Sequence, residues 1–307
     1  PHDPYVARRK FWDLYEDCGH LAPEVAAIGY EDHDPHSKRI FDANDWRSYT
    51  ITNEHIARAR RGYFANISYL DEKIGQLLQI VEDSRQEAIV IFVSDHGDML
   101  GERGLWFKMS MFEGSSRVPL MIAAPGIAPG RIDTPVSTLD VGPTLADLAG
   151  LDLSEIADWT QGTSLLPIAE GATRDSVPIE FAAEASIAPI VALRDARYKY
   201  VRCPVDPDQL FDLQADPHEL TNVANDPAHA DAYTRLSAEA DAKWNLIQFD
   251  ADVRTSQARR LVVYDALRKG GYYPWDFQPL QEASKRFMRN HMDLNELEEG
   301  QRFPRGE

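Results

Sequence analysis

The sequence predicts an α/β protein in which a layered mixed sheet is flanked by helices, followed by a smaller C-terminal α+β subdomain and an extended tail. Between residues 53 and 151 the patterns follow the order helix, strand, loop, strand, helix, which is typical of an α/β layered domain. After about residue 175 the pattern changes to short strands and then helices. We therefore predict the large domain at 1–174, the subdomain at 175–250, and a C-terminal helix and tail at 251–307.

The first part of the chain predicts one short and one long helix. An amphipathic helix is predicted at 6–17, whereas the segment 21–48 is rich in Asp, His and Pro and predicts a loop. From Asn53 to Ser84 apolar residues recur at threes, fours and sevens, which places them on one face of a helix. They are Ile56, Tyr63, Ile67, Leu70, Ile74, Leu77 and Val81.

Two apolar runs and a compact helix follow. Residues 88–93 (AIVIFV) form a continuous apolar run, which predicts a parallel strand covered on both faces. Residues 117–124 (RVPLMIAA) predict a second buried strand. The pattern PTLADLAG at 143–150 predicts a helix with proline in its first turn and glycine just past its end.

The second part predicts a small sheet and two helices. Strand-like runs lie at 176–182, 188–194 and 197–203, and Asp195-Ala196 joins the last two as in a hairpin. Helices are predicted at 228–247 and 253–269. The aromatic, proline-marked tail that follows (YYPWDFQP) is interpreted as a strap that docks on a neighbouring copy, so we expect a homo-oligomer.

Composition excludes several kinds of partner. The net charge of −18 argues against nucleic acid, which needs a basic footprint, and leaves an anionic substrate dependent on local cations or a metal. No apolar run approaches the roughly 20 residues that span a bilayer, so no membrane is expected. Two cysteines, Cys18 and Cys203, indicate a reducing compartment, here the cytoplasm. Because the chain begins Pro1-His2-Asp3-Pro4, we interpret it as the C-terminal part of a longer polypeptide.

The motif Ser94-Asp95-His96-Gly97-Asp98 comes directly after the first predicted strand. Ligands in open α/β sheets bind beyond the carboxyl ends of strands, and Gly97 gives the backbone freedom to turn there. A carboxylate and an imidazole that converge suit Mn²⁺, Zn²⁺ or Ca²⁺. The alternative is a solvated turn in which the aspartate caps the next segment. Two ligands are too few for a metal, so others must come from elsewhere.

Three further side chains are candidates for chemistry. Lys108, in a glycine- and aromatic-rich loop, offers a point charge to an oxyanion, or is a surface lysine beside a packed tryptophan. His2, held between prolines, is a candidate general acid, or is merely exposed. Glu184 follows a strand of small and apolar residues and needs a cationic partner, which Arg194 or Arg197 could supply internally. The sequence contains neither a CxxC spacing nor a GxSxG elbow.

Taken together, these segments resemble the sulfatases of the alkaline phosphatase superfamily. Their metal strand, lysine loop and following strand are matched by VSDHGDMLGERGLWFKMSMFEGSSRVPLMIAAPG at 93–126. The next helix is matched by STLDVGPTLADLAGL at 137–151, and the C-terminal signature by QLFDLQADPHELTNVA at 209–224. The resemblance spans nearly the whole chain and implies a sulfatase/alkaline-phosphatase-like fold.

Within that family the pattern is most similar to the choline sulfatases. His96 follows Asp95 where many sulfatases place Asn, and the segments 106–114 and 254–279 match as well. The resemblance implies hydrolysis of a sulfate monoester, choline-O-sulfate, to choline and sulfate. It implies one divalent ion, Ca²⁺ or Mn²⁺, beside a formylglycine nucleophile made from the cysteine of a C-x-P-x-R motif.

The resemblance also implies roles for five residues. By position these are Asp95 and His96 as metal ligands, Lys108 at the sulfate, His2 at the leaving-group oxygen, and Glu184 at the quaternary ammonium of choline. Trp106 and Tyr5 are the aromatic faces expected beside that ammonium, because cations bind over aromatic rings.

One departure from the family pattern matters. Cys203 continues as Pro-Val-Asp and Cys18 as Gly-His-Leu, so neither belongs to a C-x-P-x-R motif. The nucleophile, its arginine and the other metal carboxylates are therefore expected upstream of Pro1, in an N-terminal part of the same protein. Two alternatives stay open: a phosphonate monoester or phosphodiester hydrolase of the same superfamily, which would use the same Asp-His pair, and a non-catalytic C-terminal fragment or subunit.

Overall fold

The computed structural model describes residues 1–16 and 21–270. Its described residues form two compact units, one drawn from 1–16, 21–22, 44–75 and 247–270, the other from Pro23–Ala43 and Gln76–Leu246. The helices are α1 Arg9–Trp12, α2 Pro35–Ala43, α3 Asn53–Ser84, α4 Glu113–Ser116, α5 Val141–Leu148, α6 Leu166–Ala169, α7 Ala230–Lys243 and α8 Leu246–Gly270. The strands are β1 Val90–Val93, β2 Leu120–Ala123, β3 Ser176–Phe181, β4 Ile190–Asp195, β5 Tyr198–Arg202 and β6 Gln209–Asp212. Cys18 and the aromatic tail lie outside the described residues.

In the first unit, α1 is shorter than predicted and α3 has the predicted bounds. Of the apolar face predicted for α3, Ile56 is buried, whereas Ile67, Leu70 and Leu77 are exposed. The helix packs closely at Gly62 instead, where an added Cβ would lie 2.3 Å from the carbonyl oxygen of Tyr5. The helix therefore packs on the N-terminal segment through small residues that periodicity did not select.

In the second unit, β1 and β2 form a two-stranded antiparallel sheet with Val90 opposite Ala123 and Val93 opposite Leu120. The α/β class is confirmed, but the parallel pairing predicted for 88–93 is wrong. The intervening loop folds back on itself through a bond from Met99 N to the Phe107 oxygen (2.8 Å), which returns the chain beside β1. The prediction of cover on both faces is also wrong, since Val93 of β1 is 36% exposed. The second predicted strand is not buried throughout either, since Met121 of β2 is 60% exposed.

The segment 21–48 is not a plain loop, because it contains α2. Asp34 begins this helix by accepting hydrogen bonds from His36 N (3.0 Å) and Ser37 N (3.1 Å), and Pro35 occupies the first turn. Aspartate followed by proline is a recognised helix-start pattern. The absence of an apolar period hid this helix, which buries only one large apolar side chain, Ile40.

The remaining strands form a four-stranded antiparallel sheet in the order β3-β4-β5-β6. The predicted hairpin is confirmed, with Arg194 opposite Lys199 across its turn. The helix α7 packs against this sheet around a core of Leu193, Tyr200, Leu210, Leu236 and Ala240. The helices predicted near 143–150, 228–247 and 253–269 are present as α5, α7 and α8. Of the described helices, none has the length and apolarity needed to cross a bilayer.

Candidate active site

Asp95 and His96 lie just past the end of β1, and their side chains converge. The Oδ2 of Asp95 is 3.5 Å from the Nε2 of His96, while its Oδ1 accepts a hydrogen bond from the His96 backbone N–H at 2.9 Å. The Asp95 side chain is 83% exposed and that of His96 is 34% exposed, so both are accessible to a ligand. The turn at residues 94–97 thus presents an oxygen and a nitrogen to the same side.

The local hydrogen bonds orient this pair. His96 Nδ1 is 2.8 Å from the carbonyl oxygen of Gly97, which only accepts, so Nδ1 carries a proton and Nε2 is the ring nitrogen that faces Asp95. Burial acts to raise the pKa of Asp95, but the His96 N–H and the nearby imidazole outweigh it and hold the pKa below its usual value. The pair therefore offers an ionised carboxylate and, in the neutral form of the ring, an imidazole nitrogen, which are the forms that bind metals.

The separation of the two atoms also fits a cation. Two ligands that each bind an ion at about 2.1–2.4 Å lie about 3–3.5 Å apart when they are adjacent in its coordination shell. The observed 3.5 Å is at the upper end of that range. Within the described residues no cluster of three or more His, Cys, Asp or Glu side chains is placed to hold a metal. These two residues therefore fit part of a metal site.

The loop after the motif carries Lys108 into the same cleft. Asp98 Oδ1 accepts hydrogen bonds from the backbone N–H groups of Leu100 (2.9 Å) and Phe107 (3.0 Å), which folds the loop back on its start. The hydroxyl of Ser115 then donates to the carbonyl oxygen of Lys108 at 2.6 Å. Asp95, His96 and Lys108 all line one open cleft of about 1520 Å³ in the second unit, so the structure brings three of the seven predicted residues together.

The other candidates of the second unit are placed differently. Trp106 is buried, with 8% exposure, and Glu184 lies exposed in the turn after β3; neither lines this cleft. The internal ion pairs considered for Glu184 are not formed, because Arg197 binds Asp212 and Arg194 donates to the carbonyl oxygen of Asp195. The predicted roles of Glu184 and Trp106 stay predictions.

His2 and Tyr5 belong to the first unit. His2 is exposed, and its Nδ1 is 2.7 Å from the carbonyl oxygen of Asp3. Tyr5 packs edge-on against Tyr63, with ring centroids 5.6 Å apart. Their predicted roles at the leaving group and at the ammonium also stay predictions.

Sequence reasoning missed the side chains that hold the loop around Lys108 in place. Asp98 and Ser115 are two of them; the others are the buried Lys199 and its partners Glu113 and Glu219. A signal was present, because Lys199 stands between two tyrosines in a predicted strand. Because side chains alternate along a strand, Lys199 lies on the opposite face of the sheet from both tyrosines. The sequence alone did not reveal a partner for it.

Comparison with known proteins places this geometry in a family. The sulfatase family model matches residues 24–151, a model of the C-terminal part of N-sulphoglucosamine sulphohydrolase matches 101–246, and a model of the choline sulfatase C terminus matches 251–303. The chain is 60% identical to a choline-sulfatase of Rhizobium meliloti over its whole length. It is 30% identical over 81% of its length to the multifunctional alkaline phosphatase superfamily protein PehA of Trinickia caryophylli.

Solved structures agree on the fold. A phosphonate monoester hydrolase from Silicibacter pomeroyi superimposes with a TM-score of 0.66 at 27% identity, over 78% of this chain and 53% of that one. A putative sulfatase from Bacteroides thetaiotaomicron superimposes with a TM-score of 0.61 over 76% of this chain and 53% of that one, and at 22% identity it supports the fold alone.

Fold and strand-tip motif therefore define a protein of the alkaline phosphatase superfamily. Within that superfamily, the chain belongs to the sulfatase family. It spans 61% of the length of the choline-sulfatase and 54% of PehA. The family and the fold expected from the sequence are confirmed.

Proposed function

We propose that this chain forms part of a sulfuric ester hydrolase that cleaves choline-O-sulfate to choline and sulfate. The observation that carries the proposal is the pair of Asp95 Oδ2 and His96 Nε2, 3.5 Å apart in a cleft shared with Lys108. The 60% identity to a choline-sulfatase supports the choice of substrate. Choline's quaternary ammonium has no hydrogen-bond donor, so its recognition depends on carboxylate and aromatic faces, the roles proposed for Glu184, Trp106 and Tyr5.

Asp95 and His96 would hold a divalent ion, Ca²⁺ or Mn²⁺, together with carboxylates that we expect upstream of Pro1. When bound, the ion supplies positive charge beside the sulfate oxygens and the formylglycine nucleophile, which is also expected upstream. Lys108 adds a second positive charge where negative charge gathers during the reaction. His2 would donate a proton to the departing choline oxygen.

A second candidate is hydrolysis of a phosphonate monoester. It is favoured by the superposition on the enzyme from Silicibacter pomeroyi and by 29% identity to a phosphonate monoester hydrolase of Agrobacterium radiobacter. The same Asp-His pair and lysine would serve a phosphonate as well as a sulfate, since both place negative oxygens beside the metal. The cationic alcohol distinguishes the two substrates.

The test compares the two substrates in the full natural polypeptide. We expect kcat/KM for choline-O-sulfate to exceed that for a phenyl phosphonate monoester by at least about 100-fold, a ratio typical of selective polar recognition. The opposite preference would support the second candidate. Turnover of neither substrate, in a protein that carries its metal, would support the non-catalytic alternative.

The remaining proposals concern location and assembly. Cys203 is a buried free thiol and the chain has two cysteines in all, which supports a reducing cytoplasm. Residues 270–307, aromatic at their start, are proposed to join copies of the chain. Deletion of these residues should lower the mass in solution, and an unchanged mass would argue against this assembly.

A further inference from the structure

Lys199, on β5, is buried at the place where the four-stranded sheet meets the lysine loop. Its side chain is 0% exposed. Its Nζ lies 2.8 Å from the carbonyl oxygen of Met111, 2.8 Å from Glu219 Oε1 and 2.7 Å from Glu113 Oε1. An ammonium has three protons, so these three acceptors use its whole capacity.

Glu219 is the second member of this cluster and is equally enclosed, at 2% exposure. Its Oε2 accepts a hydrogen bond from the backbone N–H of Glu113 at 2.7 Å, and its own carbonyl oxygen accepts one from Arg103 at 2.7 Å. Burial raises the pKa of Glu219, and the ammonium of Lys199 works in the opposite direction. Either charge alone would be costly at this depth, so the two depend on each other.

This cluster borders the cleft, because Met111 and Glu113, which Lys199 contacts, line it. Lys199 donates to the carbonyl oxygen of Met111, and Glu219 accepts from the backbone N–H of Glu113. The two side chains thus bind the chain where α4 begins. Two residues further, Ser115 donates from its hydroxyl to the Lys108 carbonyl oxygen (2.6 Å) and accepts at its own carbonyl oxygen from Gly97 N (2.7 Å). Ser115 thus contacts both the lysine and the turn that presents Asp95 and His96.

We propose that Lys199, acting through Glu113 and Glu219, is a positioning residue that holds the loop 107–116 and thereby sets Lys108 against the Asp95–His96 turn. The part that concerns turnover rests on the function proposed above. The part that concerns the loop does not, because the contacts exist whatever the substrate is. The small sheet is then a support for the cleft as well as a separate layer of the fold.

The variant that tests this removes both buried charges together. Lys199→Met alone would leave Glu219 buried without its partner, which is strongly destabilising whatever the role of the loop. The double variant Lys199→Met with Glu219→Gln keeps the side-chain volumes and removes both fully buried charges, so that only the Glu113 carboxylate, 18% exposed, loses its ammonium partner. Lys243→Met, at the exposed end of α7, is the matched control.

Three measurements are made on the full natural polypeptide: the thermal melt, amide hydrogen exchange across residues 95–116, and kcat and KM for choline-O-sulfate. We expect the double variant to melt cooperatively, to exchange at least about tenfold faster at 107–116, and to lose about 10- to 100-fold in kcat with a smaller change in KM, since small displacements are costly to catalysis. Lys243→Met should match the wild type.

Unchanged exchange at 107–116 in the double variant would overturn the proposal, and so would an unchanged kcat in an active enzyme. If the wild type hydrolyses no sulfate ester, the proposed function fails, and the exchange measurement alone decides the role of Lys199. If the double variant does not fold, Glu219→Gln alone is measured in the same way, and unchanged exchange in it overturns the proposal.

Discussion

The backbone N–H of Gly97 donates a hydrogen bond to the carbonyl oxygen of Ser115 over 2.7 Å. At this contact a Cβ on Gly97 would lie 2.2 Å from the carbonyl oxygen of Gly114, closer than any side-chain carbon is tolerated. Because residue 97 is glycine, the turn after β1 and the loop that carries Lys108 can approach each other this closely. The predicted metal ligands and the predicted sulfate-binding lysine share one cleft because of this contact.

Gly97→Ala should destabilise the protein by about 1–3 kcal/mol, because the backbone on one side of the contact must move to admit the methyl group. Denaturant unfolding measures the change. Gly142→Ala, in α5, is the matched control, since nothing lies within 4 Å of its added Cβ and alanine favours a helix. Equal stability of the two variants would show that the contact at Gly97 is not tight.

Acid should destabilise the second unit through His36. Burial lowers the pKa of His36, and the bond of its Nε2 to the Met109 carbonyl oxygen (2.6 Å) only partly offsets this. As the pH falls below about 6.5, the unfolded chain takes up a proton that the folded chain resists, so the free energy of unfolding decreases until the lowered pKa is reached. Above about pH 6.5 His36 contributes no slope to the free energy of unfolding.

His36→Gln should flatten the pH dependence, because glutamine keeps a donor for Met109 and does not titrate. The measurement is the free energy of unfolding in urea between about pH 7.5 and 5. His33, whose pKa burial also lowers, should account for a residual slope in the same direction. An unaltered slope in the variant would exclude His36 as its source.

Glu184→Gln tests the proposed contact with choline. Glu184 is exposed, so the loss of its charge should raise KM for choline-O-sulfate by only about two- to fivefold, the range of a solvent-exposed ion pair, with kcat unchanged. KM for a neutral aryl sulfate should not change. Glu170→Gln, another exposed glutamate of the second unit, serves as control. Equal effects on both substrates would remove Glu184 from ammonium recognition.

Local pattern predicted the elements better than it predicted their partners. The bounds of α3 and the hairpin at Asp195-Ala196 follow from periodicity and turn chemistry, which are properties of neighbouring residues. The antiparallel pairing of β1 with β2 was not predicted, because a buried apolar run reads alike in either orientation. The Asp95–His96 pair was predicted from its position at the end of a strand. The ion pair between Lys199 and Glu113 joins residues that are far apart in the sequence, so no local pattern predicts it.

The central claim is that Asp95 and His96 hold a divalent ion, and calorimetric titration of the metal-free full natural polypeptide with Mn²⁺ and with Ca²⁺ tests it most directly. We expect one site per chain, with affinity lowered about 100-fold or more in Asp95→Asn and in His96→Ala, since even outer-shell losses cost 10- to 100-fold. Asp133→Asn, at an exposed carboxylate of the same cleft that pairs with Arg131, should bind like the wild type. Undiminished metal binding in both Asp95→Asn and His96→Ala would contradict the account.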